Sequence, residues 1–266
     1  MIPTIGVFDS GLGGLTVLRE IHCQLPGVSV LYLADTANVP YGDKPIEVVR
    51  DLALRLSSHL VSAGVSVIIM ASGTSTAAGL RVAQDRYPDI PIVGTIAPGA
   101  RAAVLESSGP IGVLATNATV QSQAFTQAIQ TQDPSRLVVE QGCPAFVPLV
   151  EVGRAGSAEA EEAALTYLLP LHKAGVQCVI LGCTHFPFLL PALHRAICRI
   201  GDPEFRPRFV DPSAEAVRDA ARFLPISSSL LIGPSSFAAT SDPDLFQRHA
   251  SELLGETISS VEWLTL

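Results

Sequence analysis

The sequence is short of charge, and of positive charge above all. Charged residues make up 16% of the 266 residues, and 17 Lys and Arg face 25 Asp and Glu, for a net charge of −8. This balance argues against a nucleic-acid partner and favours a small-molecule substrate. Hydrophobic residues reach 48%, so the chain is also far from the composition of a disordered protein.

Long apolar runs are missing as well. No stretch approaches the ~18 consecutive apolar residues that a membrane span requires, so no membrane partner is expected. The start of the chain, Met1 to Thr4, leads into a strand-like segment without a charged leader or a cleavage site. A cytoplasmic location is therefore predicted.

Cysteine is scarce, and its spacing excludes the common cysteine frameworks. The five cysteines include no Cys-x-x-Cys pair, so neither disulfides nor a zinc or other metal site is expected. Cys143, Cys178 and Cys198 are interpreted as buried, inert thiols.

Short apolar runs alternate with helical patterns along the chain. The runs, interpreted as strands buried on both faces, are Thr4–Phe8, Val30–Leu33, Val65–Met70, Ile92–Val93, Ile111–Leu114, Leu137–Val139 and Cys178–Leu181. The helical patterns are Leu15–His22, Ile46–Ala63, Thr119–Ile129 and Ser157–Ala174. This alternation predicts an α/β fold with parallel sheets, in which ligands bind beyond the carboxyl ends of the strands.

A faint internal repeat indicates two similar halves, with chance similarity between short strands as the alternative. Ile5–Ser10 resembles Ile111–Thr116, and Ile68–Thr74 resembles Val179–Thr184. We expect two pseudo-symmetric domains, each a parallel sheet flanked by helices, with the active site in the cleft between them. Residues 1–97 with 208–266 form the first, and residues 98–207 form the second. The proline-rich stretch Pro203–Pro207 is interpreted as the return to the first domain.

Small polar residues follow the predicted strands. The glycine-rich segment Asp9–Gly14 is suited either to binding an anion on backbone N–H groups or to a plain tight turn. It lacks the P-loop pattern, so nucleotide binding is weakly supported. Pro40-Tyr41-Gly42 reads as a turn, and Thr119 as a helix cap. Hydroxyl groups in one cleft would nevertheless suit a small carboxylate ligand; they belong to Ser10, Thr74, Thr116, Thr119 and Thr184.

Cys183 differs from the other cysteines in its neighbours. It lies two residues beyond the predicted strand Cys178–Leu181 and two positions before His185. A thiol at a strand end is accessible to substrate, and a nearby imidazole can change how readily the thiol loses its proton. Cys183 is therefore the candidate reactive cysteine, although a lone cysteine in an apolar stretch is more often a spectator.

These segments together resemble the bacterial glutamate racemase family, within the aspartate/glutamate racemase superfamily. The resemblance spans essentially the whole chain. It rests on Phe8–Val17, Ala34-Asp35 with Pro40–Lys44, Thr116 with Thr119-Val120, Cys143-Pro144 with Pro148–Glu151, Leu181–Pro187, Val210–Ser213 and Thr240–Pro243.

The resemblance implies a cofactor-independent reaction in a homodimer, with two thiols on opposite faces of the substrate exchanging its Cα proton. It implies the supply of D-glutamate for peptidoglycan. The implied catalytic residues are Cys183, Ser72, Asp9, His185 and Glu151. The implied substrate-binding residues are Ser10, Pro40, Tyr41, Gly42, Gly73, Thr74, Thr116, Thr119 and Thr184.

The first half departs from the family pattern. The family has Ala-Cys-Asn-Thr after the third strand, whereas this chain reads Ala71-Ser72-Gly73-Thr74. A serine hydroxyl is a far weaker acid than a thiol, and glycine removes a side-chain amide. We therefore expect weak or one-sided racemisation. The alternatives are a divergent single-cysteine enzyme, decarboxylase- or lyase-like, that uses Cys183, and a non-catalytic protein that binds an acidic amino acid.

Overall fold

A computed structural model of the chain describes residues 3–225 and 233–266. Its strands are β1 Thr4–Asp9, β2 Ser29–Ala34, β3 Val67–Met70, β4 Ile92–Val93, β5 Ile111–Ala115, β6 Val138–Gly142, β7 Cys178–Leu181, β8 Arg208–Val210, β9 Ser235–Ala239 and β10 Glu262–Trp263. Its α-helices are α1 Leu15–Gln24, α2 Ile46–Ser62, α3 Gly73–Arg86, α4 Ile96–Glu106, α5 Asn117–Ser122, α6 Ala124–Gln132, α7 Phe146–Glu151, α8 Ala158–Lys173, α9 Leu190–Ile200, α10 Pro212–Ala221 and α11 Pro243–Leu254. Single 3₁₀ turns cover Tyr41–Asp43 and Phe186–Leu189.

The strands form two parallel sheets with helices on their faces. The first has the order β10-β9-β2-β1-β3-β4, and the second has the order β6-β5-β7-β8. Four strands of the first sheet, β2-β1-β3-β4, therefore match the second sheet in order and in direction. The predicted α/β class, with two similar sheets flanked by helices, is confirmed.

The chain crosses between the halves directly after β4 and directly after β8. Helix α4 packs Ile96 and Ala100 into the core of the second sheet, whereas α10 packs Ala216 and Val217 into the core of the first. Strand β8 pairs with β7, so the second sheet continues past residue 207, the predicted domain boundary. The return lies at the Asp211 cap of α10, because the proline-rich stretch only leads into β8.

One predicted helix is interrupted. The pattern over Thr119–Ile129 indicated a continuous helix, but α5 and α6 are separated at Gln123, whose φ of 54° is left-handed. This conformation ends α5 and turns the chain. The other predicted helices lie within a few residues of the observed ones. Strands β8, β9 and β10 were not predicted, because each begins with a polar residue and lacks the continuous apolar run of the predicted strands.

The core of the second half reaches the predicted reactive segment. Phe125 on α6 is fully buried among residues of α4, β5 and β7. A Cβ atom at Gly182 would lie 2.8 Å from Phe125 Cε2, so the ring packs directly against the residue before Cys183. Core packing therefore supports the backbone that carries the thiol.

Replacing Phe125 by Ala is expected to lower the free energy of unfolding by about 3 to 5 kcal/mol, because it leaves a cavity in a close-packed core. Urea unfolding followed by circular dichroism measures this loss. Leu105→Ala is the control, since Leu105 is 82% exposed and its truncation should change stability by less than about 0.5 kcal/mol. Equal effects of the two substitutions would contradict the packing described here.

Candidate active site

The carboxyl ends of the two sheets face each other. Thr184 Oγ1 in the second half donates to Asp9 Oδ1 in the first, over 3.2 Å. Across the same cleft, Thr74 Oγ1 and Thr116 Oγ1 lie 2.9 Å apart. Residues that follow β1, β3, β5 and β7 are therefore brought together, as expected for the edge at which parallel strands end.

Cys183 belongs to a hydrogen-bonded relay of three side chains. Its Sγ lies 3.7 Å from His185 Nδ1. On the other side of the ring, His185 Nε2 lies 2.6 Å from Glu151 Oε1. The same carboxylate oxygen accepts the Leu12 N–H of the first half at 3.0 Å. A thiol, an imidazole and an orienting carboxylate in this order can take up and return a proton.

Burial and hydrogen bonding act in opposite directions on the protonation of the relay. Burial opposes the charge of His185, but hydrogen bonds to Cys183 and Glu151 outweigh it and raise the pKa of His185 well above its ordinary value. Burial likewise favours the neutral form of Glu151, yet the contact with His185 brings its pKa below the usual range. Both directions favour an imidazolium paired with a carboxylate, next to the sulfur.

In the first half, Asp9 lies beside the Cys183–His185–Glu151 relay. Asp9 is fully buried, and this burial raises its pKa. The charge of His185 and the N–H groups of the glycine-rich segment lower the pKa, but they do not cancel the effect of burial. Its Oδ2 accepts the Gly11 N–H at 3.2 Å. Asp9 is thus placed to hold or release a proton near the cleft.

Ser72 occupies the position in the first half that Cys183 occupies in the second, two residues beyond its strand. Its Oγ caps α3 by accepting the Ser75 N–H at 3.3 Å. Within the described residues no side chain accepts a hydrogen bond from this hydroxyl. The two corresponding positions therefore differ in their chemistry: one carries a thiol with a relay, and the other an alcohol without one.

Three threonines form a hydroxyl cluster on one wall of the cleft. Thr116 Oγ1 lies 3.0 Å from Thr119 Oγ1, and Thr74 Oγ1 lies 2.9 and 3.2 Å from these two atoms. Thr116 also caps α5 by accepting the Thr119 N–H at 3.3 Å. The cluster offers neutral hydrogen-bond donors to a carboxylate.

The Pro40-Tyr41-Gly42 turn covers the cleft. The Tyr41 hydroxyl donates to Asp35 Oδ2 at 2.5 Å, and a Cβ atom at Gly42 would lie 2.7 Å from Thr116 Cβ. Asp35, fully buried, also accepts the Thr240 hydroxyl at 2.7 Å. The contact of Asp35 with Thr240 joins residues 205 positions apart, so the sequence gives no sign of it.

The cleft is nearly closed. About 10 Å³ of space remains between its walls, too little for an amino acid. Gly73 is part of the reason, since a Cβ atom there would lie 2.4 Å from the Gly182 carbonyl oxygen. The two strand-end segments are thus in close contact across the cleft.

The structure brings most of the predicted site residues to this space. It is lined by Ser10, Tyr41, Gly42, Ser72, Thr74, Thr116, Val147, Cys183, Thr184 and His185. Asp9, Glu151 and Thr119 lie behind these residues as hydrogen-bond partners, and Pro40 precedes Tyr41. Val147 was not predicted, because an apolar residue in a helix gives no signal of lining a site.

The structure corrects one interpretation of the cysteines. Cys143 and Cys178 are buried, but Cys198 is exposed, contrary to its interpretation as a buried thiol. No group of three or more His, Cys, Asp or Glu side chains within residues 3–225 and 233–266 is arranged to hold a metal ion. None of the helices in these ranges has the length and apolar character to cross a bilayer.

Replacing Glu151 by Gln is expected to lower the pKa of His185, because the imidazolium loses its negatively charged partner. In the unaltered protein His185 should remain protonated as pH rises through the ordinary histidine range, and in the variant it should lose its proton earlier. Histidine NMR titration measures the midpoint. Glu159→Gln, which breaks the surface pair with Arg154, is the control and should leave the midpoint unchanged; an equal midpoint in E151Q would contradict the relay.

Known proteins of similar sequence are racemases. Residues 5–220 match the family model described as Asp/Glu/Hydantoin racemase. The chain is 41% identical over 257 residues to the glutamate racemase of Microcystis aeruginosa, covering 96% of this chain and 88% of that protein. It is also 41% identical over 263 residues to that of Corynebacterium diphtheriae, covering 97% and 96%.

Solved structures give the same result. A glutamate racemase isoform of Bacillus anthracis superposes with a TM-score of 0.91 at 31% identity, covering 99% of this chain and 98% of that one. The Francisella tularensis glutamate racemase, solved in complex with D-glutamate, superposes with a TM-score of 0.87 at 27% identity, covering 99% and 97%. The chain belongs to the Asp/Glu/hydantoin racemase family.

Proposed function

We propose that this protein interconverts L- and D-glutamate without a cofactor, with fast proton transfer at Cys183 and slow inversion. The observation that carries the proposal is the Cys183–His185–Glu151 relay, which faces a serine instead of a second thiol across the cleft. The glutamate racemases that resemble this chain support the choice of reaction.

The proposed chemistry begins at the sulfur. A positively charged imidazole beside a cysteine favours the thiolate, which can take the proton from the substrate Cα. His185, held by Glu151 at 2.6 Å, is placed for this task. The electron pair left on Cα is shared with the α-carboxylate, whose developing charge is stabilised by hydrogen-bond donors at the cleft.

The second step decides whether the product is inverted. If Cys183 returns a proton to the face from which it took one, the Cα proton is exchanged but the configuration of the substrate is unchanged. Inversion requires a proton from the opposite side, where Ser72 stands with its Oγ engaged as a helix cap. An alcohol without a partner base supplies this proton slowly, which limits inversion.

The proposed ligand is a dicarboxylic amino acid. The threonine cluster and backbone N–H groups suit carboxylates without a lysine or arginine in the lining. We assign substrate contacts to Ser10, Pro40, Tyr41, Gly42, Gly73, Thr74, Thr116, Thr119 and Thr184. The proposed protein is a cytoplasmic homodimer, and it supplies D-glutamate for peptidoglycan.

A second candidate function follows from the isolated thiol. An enzyme that handles a proton on only one face, such as a decarboxylase or lyase of the same superfamily, needs one cysteine only. The absence of a hydrogen-bond acceptor for Ser72 Oγ among the described residues favours this alternative. Pure binding of an acidic amino acid is disfavoured, because a binding protein has no need of a charged, buried relay beside a thiol.

Replacing Ser72 by Cys tests the proposed function. The new thiol would stand on the opposite face from Cys183, and racemisation of glutamate should rise by about 100-fold or more, the usual contribution of a positioned acid or base. Circular dichroism of L- and D-glutamate solutions measures the rate. Ser108→Cys, which adds an exposed thiol far from the cleft, is the control. No gain in S72C would contradict the proposal.

Adding Gly73→Asn to Ser72→Cys should give a smaller gain than Ser72→Cys alone. A side chain at residue 73 would collide with the Gly182 carbonyl oxygen, 2.4 Å from the added Cβ, so the halves could not close fully. Racemisation rates of the single and double variants measure this effect. A double variant faster than S72C would show that the backbone contact is unimportant and that the missing amide matters more.

A further inference from the structure

The glycine-rich segment Gly11–Gly14 lies between the relay and a buried tyrosine. On the relay side, a Cβ atom at Gly11 would lie 2.4 Å from Glu151 Oε1, and one at Gly13 would lie 2.4 Å from His185 Nδ1. Only glycine permits this approach, so the segment's backbone touches the relay directly. Leu12, between them, donates its N–H to Glu151.

Tyr32 supports the opposite side of the segment. This residue of β2 is fully buried, and its hydroxyl donates to the Gly11 carbonyl oxygen at 2.8 Å. A Cβ atom at Gly14 would lie 2.6 Å from the same hydroxyl oxygen. The hydroxyl is therefore fixed beneath both ends of the segment.

The ring of Tyr32 is also held in place. Its centroid lies 5.9 Å from that of Phe237 and 6.0 Å from that of Phe246. Burial raises the pKa of Tyr32 well above its ordinary value, and the negative charges of Asp9 and Glu151 act in the same direction. The phenol stays protonated at any pH at which the protein works, so it is a permanent hydrogen-bond donor.

We infer that Tyr32 is a positioning residue for proton transfer at Cys183, acting through the glycine-rich segment on Glu151 and His185. A role of Tyr32 in catalysis rests on the proposed function. Its path runs from the Tyr32 hydroxyl to the Gly11 carbonyl, from the adjoining Leu12 N–H to Glu151, and from Glu151 to the imidazole beside the sulfur. Tyr32 itself does not line the cleft.

Several other titratable groups lie close enough to the relay to interact with the charges of its members. Those that interact with its members are Asp9, Tyr32, Cys143 and His249. Tyr32→Phe removes no charge near neutral pH, because the buried phenol is itself neutral there. A change in the pH dependence of Cys183 would therefore report the position of the relay.

The experiment measures the rate of alkylation of Cys183 by iodoacetamide as a function of pH, resolved by peptide mass spectrometry, in the unaltered protein and in Tyr32→Phe. Phenylalanine keeps the ring and removes only the hydroxyl. A less firmly held Glu151 stabilises the imidazolium less, so the rise in rate should move to higher pH by about 0.5 to 1 unit. This is a three- to tenfold loss of rate at neutral pH. Exposed Cys23 is the internal reference, and Tyr87→Phe is the matched control.

A profile of Y32F that superimposes on that of the unaltered protein overturns the inference, even if the variant melts at a lower temperature, because a merely structural role leaves the pH dependence unchanged. Gly14→Ala provides a second variant, since its methyl group must displace the tyrosine hydroxyl, Asp9 Cβ or the segment itself; it should shift the profile in the same direction. Alkylation requires no glutamate. A shift in a protein that exchanges neither enantiomer of glutamate would therefore uphold the positioning role and refute the proposed function.

Discussion

The contact on which the site depends is the one that Glu151 makes with both halves of the molecule. One oxygen of this partly buried carboxylate accepts the Leu12 N–H of the first half and contacts the buried His185 of the second. A buried charge is tolerated only when it is well paired, and removing one partner of such a pair is strongly destabilising. The closure of the two sheets and the orientation of the imidazole beside Cys183 are therefore linked in one interaction.

The two halves share a backbone plan but differ in chemistry. The order β2-β1-β3-β4 recurs as β6-β5-β7-β8, and it places Ser72 and Cys183 at matching strand ends. The thiol has a charged relay behind it, whereas the hydroxyl serves as a helix cap. Gly73 adds to the difference by allowing its segment to rest on Gly182. A symmetric fold thus carries an asymmetric site.

The sequence predicted those features that local patterns encode. Buried strands, the strand-end position of Cys183 and its spacing from His185 were visible because they lie within short segments. The support of Gly11 by Tyr32, the contact of Asp35 with Thr240 and the approach of Gly73 to Gly182 join distant residues. The hydrophobic periodicity of a sequence carries no information about such contacts. The break at Gln123 was missed because its left-handed backbone leaves the helical pattern intact.

The most direct test of one-sided proton transfer is to incubate the protein separately with L- and D-glutamate in D₂O. Loss of the α-proton is followed by NMR, and chirality is followed in the same samples. We expect one enantiomer to exchange its α-proton much faster than it inverts, because within the described residues only Cys183 carries a thiol with a proton relay. Inversion that keeps pace with exchange for both enantiomers would contradict this expectation, and so would the absence of exchange in either.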